Sequence, residues 1–448
     1  MSKLLEGNIQ KKAHSEVEYT TEMLQELKQC MPEHNDNAHH YFMTNFGYIK
    51  HPKKGKSLYI PFEYQKELIE NFHDFRFNIN MLGRQMGKAL WEETPILTSN
   101  GWSTMGELKV GDYVYDENGN ETKVINKTEQ QLGRKCYEVK FVHGESIIAD
   151  AEHEWVVTRN GTVRNETTEE LFQKIKPRTN SKFCSGYKIG VSDALDFPSQ
   201  NVPIDPYDLG LWLGDGFSVT NKMTVHKDDY DGYREVTNIT EGKFRKGSKT
   251  CIDTKFEQFA VSDLRNMNLY KNKHIPDIYI FNDMNCRLEL LRGLMDSDGT
   301  VEKNGTCRFY QSDYNIISQA RQLLSTLGIK STLREKPTGY KMSYILAFAY
   351  NKNDIFKLPR KKERQYENSD NICNYNFYIS EVVEVPSVPV YCITVDSPNH
   401  LFLAGKTLVP THNCVTGDTN IKIRNKSTGE YKSISIEAFH EIVKKKSY

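Results

Sequence analysis

Gly83-Arg84-Gln85-Met86-Gly87-Lys88 near one end and Thr411-His412-Asn413-Cys414 near the other decide how this chain is read. The first stretch is most of a glycine loop of the kind that cradles phosphates with backbone N–H groups and a lysine. It lacks the Ser or Thr that should follow Lys88. Ala89-Leu90-Trp91-Glu92-Glu93-Thr94-Pro95 comes instead, and Pro95 denies this segment the helix that such a loop opens. A nucleotide motif is interrupted midway, and residues 412–414 mark the far side of the interruption. An Asn side-chain amide can attack its own carbonyl carbon and cut the chain. A His beside it can move the proton, and a Cys after it can take over an acyl group. Chemistry of this kind removes what lies between the two stretches.

Bulk properties bound the rest. A length of 448 residues suggests about two to four domains. Lys plus Arg and Asp plus Glu each number 59, so net charge points to no partner. A mean hydropathy of −0.64 and the lack of a long apolar run argue against a membrane span. Met-Ser-Lys-Leu-Leu-Glu-Gly at the start has no signal-peptide pattern. The 9 cysteines form no CxxC pair, which indicates neither a zinc site nor a disulfide framework. A reducing cytoplasm is the expected compartment, and a mechanistic thiol needs one.

Along the chain the texture changes several times. Residues 1–88 open with helical spacing over Glu18–Leu27 and lead through a strand-like Phe77–Leu82 into the glycine loop. From residue 89 short β segments alternate with Gly, Asn and Asp turns: Val110–Tyr115, Thr122–Ile125, Tyr137–Val142 and Trp155–Thr158. Residues 204–365 read as mixed α/β with basic loops, and β character returns at Phe377–Val385 and Val390–Val395. There is an internal echo as well. Ala89-Leu90, then Thr94-Pro95-Ile96, is matched by Cys414-Val415, then Thr419-Asn420-Ile421, each copy followed by a Gly turn.

Residues 89–155 and 377–414 together resemble an intein, a self-excising protein of the Hint fold. The carrying stretches are Ala89–Ile96, Leu108–Val114, Gly144–Trp155, Val390–Val395, Asn399–Leu403 and Leu408–Cys414. Most inteins begin with Cys or Ser, whereas Ala89 carries no nucleophile. Cys392, Trp155 and Thr411 resemble the trio of class 3 inteins, which use an internal cysteine. An engineered Cys-to-Ala exchange accounts for Ala89 but not for the trio. The resemblance implies that Cys392 attacks the Lys88 carbonyl while His153 protonates the Ala89 leaving group. Cys414 then takes the acyl group, Asn413 cyclises with help from His412, and an S-to-N shift joins Lys88 to Cys414. No cofactor is called for. Each of these residues alone is ordinary, since a Cys in Val-Tyr-Cys-Ile-Thr-Val is usually a buried strand cysteine. Their order and spacing carry the reading.

Two further stretches, Asp208–Gly216 and Leu291–Gly299, resemble the paired helices of LAGLIDADG homing endonucleases, with Gly210, Gly214 and Gly293 allowing close approach. The resemblance implies that Asp215 and Asp298 meet at the base of the pair and hold Mg²⁺ for phosphodiester cleavage of double-stranded DNA. Asn272–Pro276 and Gln311–Leu333 also resemble this family. Lys and Arg on the intervening β segments are expected on phosphates.

Residues 1–88 resemble the start of a phage large terminase, a DNA-packaging ATPase. The carrying residues are Phe62-Glu63-Tyr64-Gln65 and Leu82–Lys88. The likeness implies nucleotide contacts from Gln65, Gly83, Arg84, Gly87 and Lys88, completed only in the mature ATPase, and a bacterial host cytoplasm. The expected organisation is multidomain: an N-terminal α/β fragment of a P-loop ATPase (1–88), an all-β Hint domain (89–203 and 366–413) and an α/β endonuclease domain (204–365) within it. Residues 414–448 resemble the opening of a second, split intein, with Cys414 now in first position, which implies a C-terminal intein and terminase fragment acting in trans. Two rival readings are a stand-alone DNA endonuclease with a vestigial Hint part, and a non-enzymatic binding module on a β scaffold.

Overall fold

Alternation of buried and exposed side chains, the period of a half-buried strand, governs most of residues 89–190. The computed structural model describes residues 20–31, 34, 38, 41–42, 48–51, 55–58, 88–175, 186–337, 342–366, 375–413, 420–424 and 431–435. Gln65, Gly83, Arg84, Gly87, Cys414 and the stretch Phe77–Leu82 lie outside the described residues. The chain divides into two compact units, Met1–Arg84 with Ala438–Tyr448, and Gln85–Glu437. Described elements of the first are the helix Thr21–Lys28 and the antiparallel strands Tyr48–His51 and Gly55–Leu58.

The second unit contains two cores. One is all β. An 8-stranded sheet runs in the order Thr162–Thr167, Glu154–Arg159, Lys188–Gly190, Asn376–Val385, Cys136–Phe141, Ser146–Asp150, Leu90–Trp91, Val390–Tyr391. A 5-stranded sheet sets Ile393–Val395 beside Glu121–Lys127, then Tyr113–Tyr115, Pro95–Thr98 and Gly101–Thr104. Ile96, Val139, Trp155, Phe377 and Phe402 are among the side chains filling the space they enclose. The segment expected as one strand over Val390–Val395 is two, because the chain changes sheets at Cys392: Val390–Tyr391 pairs with Leu90–Trp91, and Ile393–Val395 with the strand Glu121–Lys127. The strand expected over Val110–Tyr115 is confined to Tyr113–Tyr115. Gly111 ahead of it sits at φ 103°, a left-handed turn conformation that glycine adopts without steric cost.

The other core is α/β and is built on two helices, Pro206–Asp215 and Met284–Asp298. Each begins on an aspartate cap: Asp205 accepts from the Tyr207 and Asp208 N–H groups, and Asp283 from that of Cys286. The pair crosses at glycines. A Cβ on Gly210 would lie 2.5 Å from the Leu290 carbonyl oxygen and 2.8 Å from Gly293 Cα, so any side chain there drives the helices apart, at a cost of about 1–3 kcal/mol or more. Antiparallel sheets flank them, one of Lys222–His226, Cys251–Lys255 and Lys243–Phe244, the other of Gly299–Val301, Cys307–Gln311, Met342–Phe348 and Ser331–Pro337. The buried Arg287 guanidinium donates to the carbonyls of Leu195 and Thr326 and so ties the linker from the β core to the helical core.

Candidate functional sites

Continuing the ladder Val390↔Trp91 and Tyr391↔Leu90 by one residue sets Cys392 opposite Ala89. Both are buried, in one small cluster with Cys136 and Val390. The Cys392 backbone is fixed from both sides: its N–H donates to Thr128 Oγ1 at 3.0 Å, and its carbonyl accepts from the Thr128 N–H at 2.9 Å. Its sulfur is disulfide-bonded.

His153 Nε2 lies 2.5 Å from Thr411 Oγ1. The Lys88 backbone favours the charged form of the ring, while the Lys88 ammonium and His412 disfavour it. Burial outweighs the backbone's effect and pushes the imidazole pKa down to about 3. The ring is therefore neutral, with Nε2 on Thr411 and Nδ1 buried without a hydrogen-bond partner among the described residues. The Ala89 nitrogen, expected to receive a proton from His153, instead donates to Asp150 Oδ1 at 3.3 Å. Asp150 is fully buried, and its other oxygen takes Arg134 Nη2 at 2.7 Å and Nε at 3.1 Å. Burial raises its pKa to about 6, against the lowering pull of Arg134. A carboxyl that titrates near neutrality, set on the leaving nitrogen, suits proton transfer there. Asp150 and Arg134 were missed in the sequence, although Asp150 lies just three positions before His153.

Trp155 has no reactive contact. Its Nε1 donates to Thr168 Oγ1 at 3.0 Å, Thr168 Oγ1 donates to the His153 carbonyl at 3.1 Å, and the indole meets the His153 ring edge-on at 4.8 Å. Through Thr168, the indole is tied to the backbone that carries the His153 ring.

The downstream junction repeats the logic. Asn413 is fully buried, its N–H donates to the His400 carbonyl at 2.8 Å, and Nδ2 donates to Val395 O at 3.2 Å. His412 Nδ1 lies 2.8 Å from the Asn413 carbonyl oxygen. A carbonyl can only accept, so Nδ1 carries the proton. Burial, reinforced by the nearby Lys88 ammonium, lowers the His412 pKa, so this ring is held neutral while donating to the Asn413 carbonyl.

In the α/β core, Asp215 and Asp298 end the two motif helices as expected, half-buried and close enough that the charge of Asp298 adds to burial in raising the Asp215 pKa to about 6. Asp298 is raised too, mainly by burial, and accepts from Gln311 Nε2 at 3.3 Å. Like-charged oxygen donors held together in this way fit a hard divalent cation, whose charge relieves the repulsion. No group of three or more His, Cys, Asp or Glu suited to a metal is gathered among the described residues, and Mg²⁺ commonly takes one or two carboxylates plus phosphate oxygens.

A symmetric pair of lysines, given no role in the sequence, completes the arrangement. Lys273 Nζ donates to the carbonyls of Leu213, Gly214 and Gly216 at 2.9, 3.3 and 2.7 Å. Lys361 Nζ donates to those of Met295, Asp296 and Gly299 at 3.0, 2.7 and 2.8 Å. Each ammonium satisfies the orphan carbonyls of one helix end, and burial lowers both pKa values to about 8. Asp296, by contrast, is structural: it accepts from Tyr207 Oη at 2.8 Å and from the Lys357 N–H at 2.9 Å.

Residues 285–379 match the family model for a LAGLIDADG-like domain. Its last residues fall on the strand Asn376–Val385, which pairs with Cys136–Phe141 of the β core. The replicative DNA helicase DnaB of Mycobacterium intracellulare is 31% identical over 359 residues, 74% of this chain and 59% of that protein. The ATP-dependent DNA helicase Hel308 of Methanocaldococcus jannaschii is 25% identical over 303 residues, 61% of this chain and 24% of that one. The crystal structure of the MchDnaB-1 intein aligns with a TM-score of 0.26 and 18% identity, covering 72% of this chain and all of its own. I-DmoI, solved in complex with DNA and Ca, aligns with a TM-score of 0.26 and 14% identity over 36% of this chain and 94% of its own. Residues 285–379 are thus similar to a LAGLIDADG-like domain, and the chain spans less than two thirds of the length of the DnaB relative. Among the described residues, no helix is long and apolar enough to cross a membrane.

Proposed function

We propose that this chain is a self-splicing precursor in which residues 89–413 are excised and Lys88 is joined to Cys414. The observation that carries the reading is that a buried histidine stands at each junction, His153 beside Lys88 and His412 with Nδ1 2.8 Å from the Asn413 carbonyl oxygen. Cys392 Sγ bonds to the Lys88 carbonyl carbon, and the bond to the Ala89 nitrogen breaks. Asp150 gives that nitrogen its proton and is restored by the one that Cys392 sheds. Cys414 takes the acyl group by thioester exchange, and Asn413 Nδ2 closes on its own carbonyl carbon, expelling the Cys414 amine. That amine then captures the acyl group. Alignment of such groups is worth about 7–11 kcal/mol.

Because a disulfide-bonded sulfur is no nucleophile, splicing should depend on reduction of Cys392. Mass spectrometry of the full chain incubated with and without a thiol reductant tests the reading. Expected with reductant are a free 89–413 piece and a product joining 1–88 to 414–448. A chain that stays at full mass in both conditions removes the proposal and leaves the stand-alone endonuclease or the binding module.

The proposal extends to double-stranded DNA cleavage, as the LAGLIDADG-like domain supports. Asp215 and Asp298 would hold Mg²⁺, which supplies water activation and stabilisation of the leaving oxygen. Lys273 and Lys361 keep the helix ends neutral beside those carboxylates. Lys222, Lys243, Lys255 and Arg334, all exposed on strands, are available to phosphates.

For the host, Phe62–Gln65 and Leu82–Lys88 favour a phage terminase, whose restored loop would bind ATP. The DnaB match favours a replicative helicase as a second reading. We further propose that Cys414 opens a second splicing domain completed by a fragment in trans. The strand Asn420–Arg424 starts at the seventh residue of its block and folds back on Tyr431–Ser435, as Pro95–Thr98 starts at the seventh of its own and folds back on Gly101–Thr104. Mixing the spliced product with candidate partner fragments should extend it through Lys88. If no partner carries intein C-terminal blocks, this part fails. Packaging by the joined protein would assign the terminase, and strand separation the helicase.

A further inference from the structure

We propose that Glu154 reads the residue upstream of the first junction, making this splicing domain selective for a long-stemmed cation there. The inference rests on the splicing reading and adds the specificity of its first step. Lys88 Nζ lies 3.0 Å from Glu154 Oε2, with the Lys88 side chain 10% and the Glu154 side chain 25% exposed. The pair is therefore shielded enough from water to matter more than a surface salt bridge. The Lys88 ammonium is thus held by the residue next in sequence to His153, whose ring both the backbone and the charge of Lys88 influence. Glu154 opens the strand Glu154–Arg159, and the N–H of Thr168 bonds to the His153 carbonyl beside it at 2.9 Å, so the carboxylate and the imidazole move as one rigid unit. Anchoring the ammonium fixes the direction of the Lys88 carbonyl, which is the angle at which Cys392 must approach. Lys88 and Glu154 also bear on His412 with opposite signs, lowering and raising its pKa. An unpaired Lys88 cation would therefore weigh on both histidines.

The same pair has a second consequence. Lys88 is the residue that the glycine loop would use on phosphate, and in the precursor its ammonium is occupied by Glu154. Excision of residues 89–413 removes Glu154 and releases the lysine, so nucleotide binding becomes available only to the spliced host.

The test uses the full chain carrying Asn413→Ala, which halts the later steps, and follows thiol-induced release of residues 1–88. Reversing one charge, Lys88→Glu or Glu154→Lys, should slow release roughly tenfold or more, because like charges then face each other at a half-buried site. Combining the two should return the rate to within about threefold of the parent, and Lys88→Arg should stay equally close, on the same reasoning. Glu154→Gln serves as the mild variant should a reversal fail to fold, and should slow release measurably. Reversals that leave the rate unchanged, or a double variant as slow as the two single losses combined, overturn the inference. A parent chain that releases nothing overturns the splicing reading itself.

Discussion

Replacing Cys392 with alanine is expected to stop excision, lowering the yield of ligated product by at least roughly 10³-fold, as loss of an enzyme's only nucleophile does. Ala89 has no side-chain nucleophile, and the ladder that joins Val390–Tyr391 to Leu90–Trp91 runs on to set Cys392 opposite it. Cys136 shares that buried cluster, but its thiol is held up by burial; a raised thiol pKa leaves little thiolate at neutral pH. Asn413 and His412 keep their contacts in the variant, so slow cleavage at Asn413 should be all that remains. Mass spectrometry of the reduced full chain separates the outcomes: intact precursor with a trace of material cut after Asn413, or the ligated product. Normal ligation would mean that the internal-cysteine assignment is wrong.

How much of this was legible in the sequence depends on how far each feature is local. The blocks around His153, Cys392 and Asn413, and the two helices with their Asp-Gly ends, are short patterns that can be read in the sequence. Which atom each group meets is not local. Spacing placed His153 near the junction, but only the pairing of the Ala89 backbone with Asp150, 61 positions away, decides that a carboxylate meets the nitrogen. Val390–Val395 has the composition of one strand, and nothing in six residues says that two sheets share it. Lys361 sits in a helix rich in charge, Pro359–Tyr366, that reads as a solvated face, yet packing buries it to 6% exposure against the end of the second motif helix. Lys273 lay in a stretch recognised by resemblance, but its three carbonyl partners come from a helix end about 60 residues earlier. The tail and the glycine loop rest on sequence, apart from the hairpin that starts at Asn420.

Changing Asp215 or Asp298 to asparagine should abolish DNA cleavage while leaving excision intact. The two carboxylates end helices of the α/β core, whereas every contact described at the junctions comes from the β core. Asparagine keeps the size and loses the charge that a divalent cation requires, so the expected loss of cleavage is on the order of 10²–10³-fold or more. Stability should move the other way. The pKa of Asp215 is raised to about 6 in the folded chain, by burial first and by Asp298 second, above the ordinary value of a free carboxylate. A group shifted in this direction favours folding when protonated and works against it once the pH passes its folded pKa. Above about pH 6 the Asp215→Asn chain should therefore melt no lower than the parent, and below the unfolded carboxylate range the difference should vanish. A site kept for chemistry at some expense of stability behaves in this way; a carboxylate kept for structure would lose both. Cleavage of duplex DNA carrying the uninterrupted host sequence around the Lys88 codon, with Mg²⁺, and melting curves at pH 5 and pH 8 read the two effects on the same preparation. Undiminished cleavage by the double variant would remove Asp215 and Asp298 from the chemistry. A melting temperature that falls at pH 8 would make them structural residues instead.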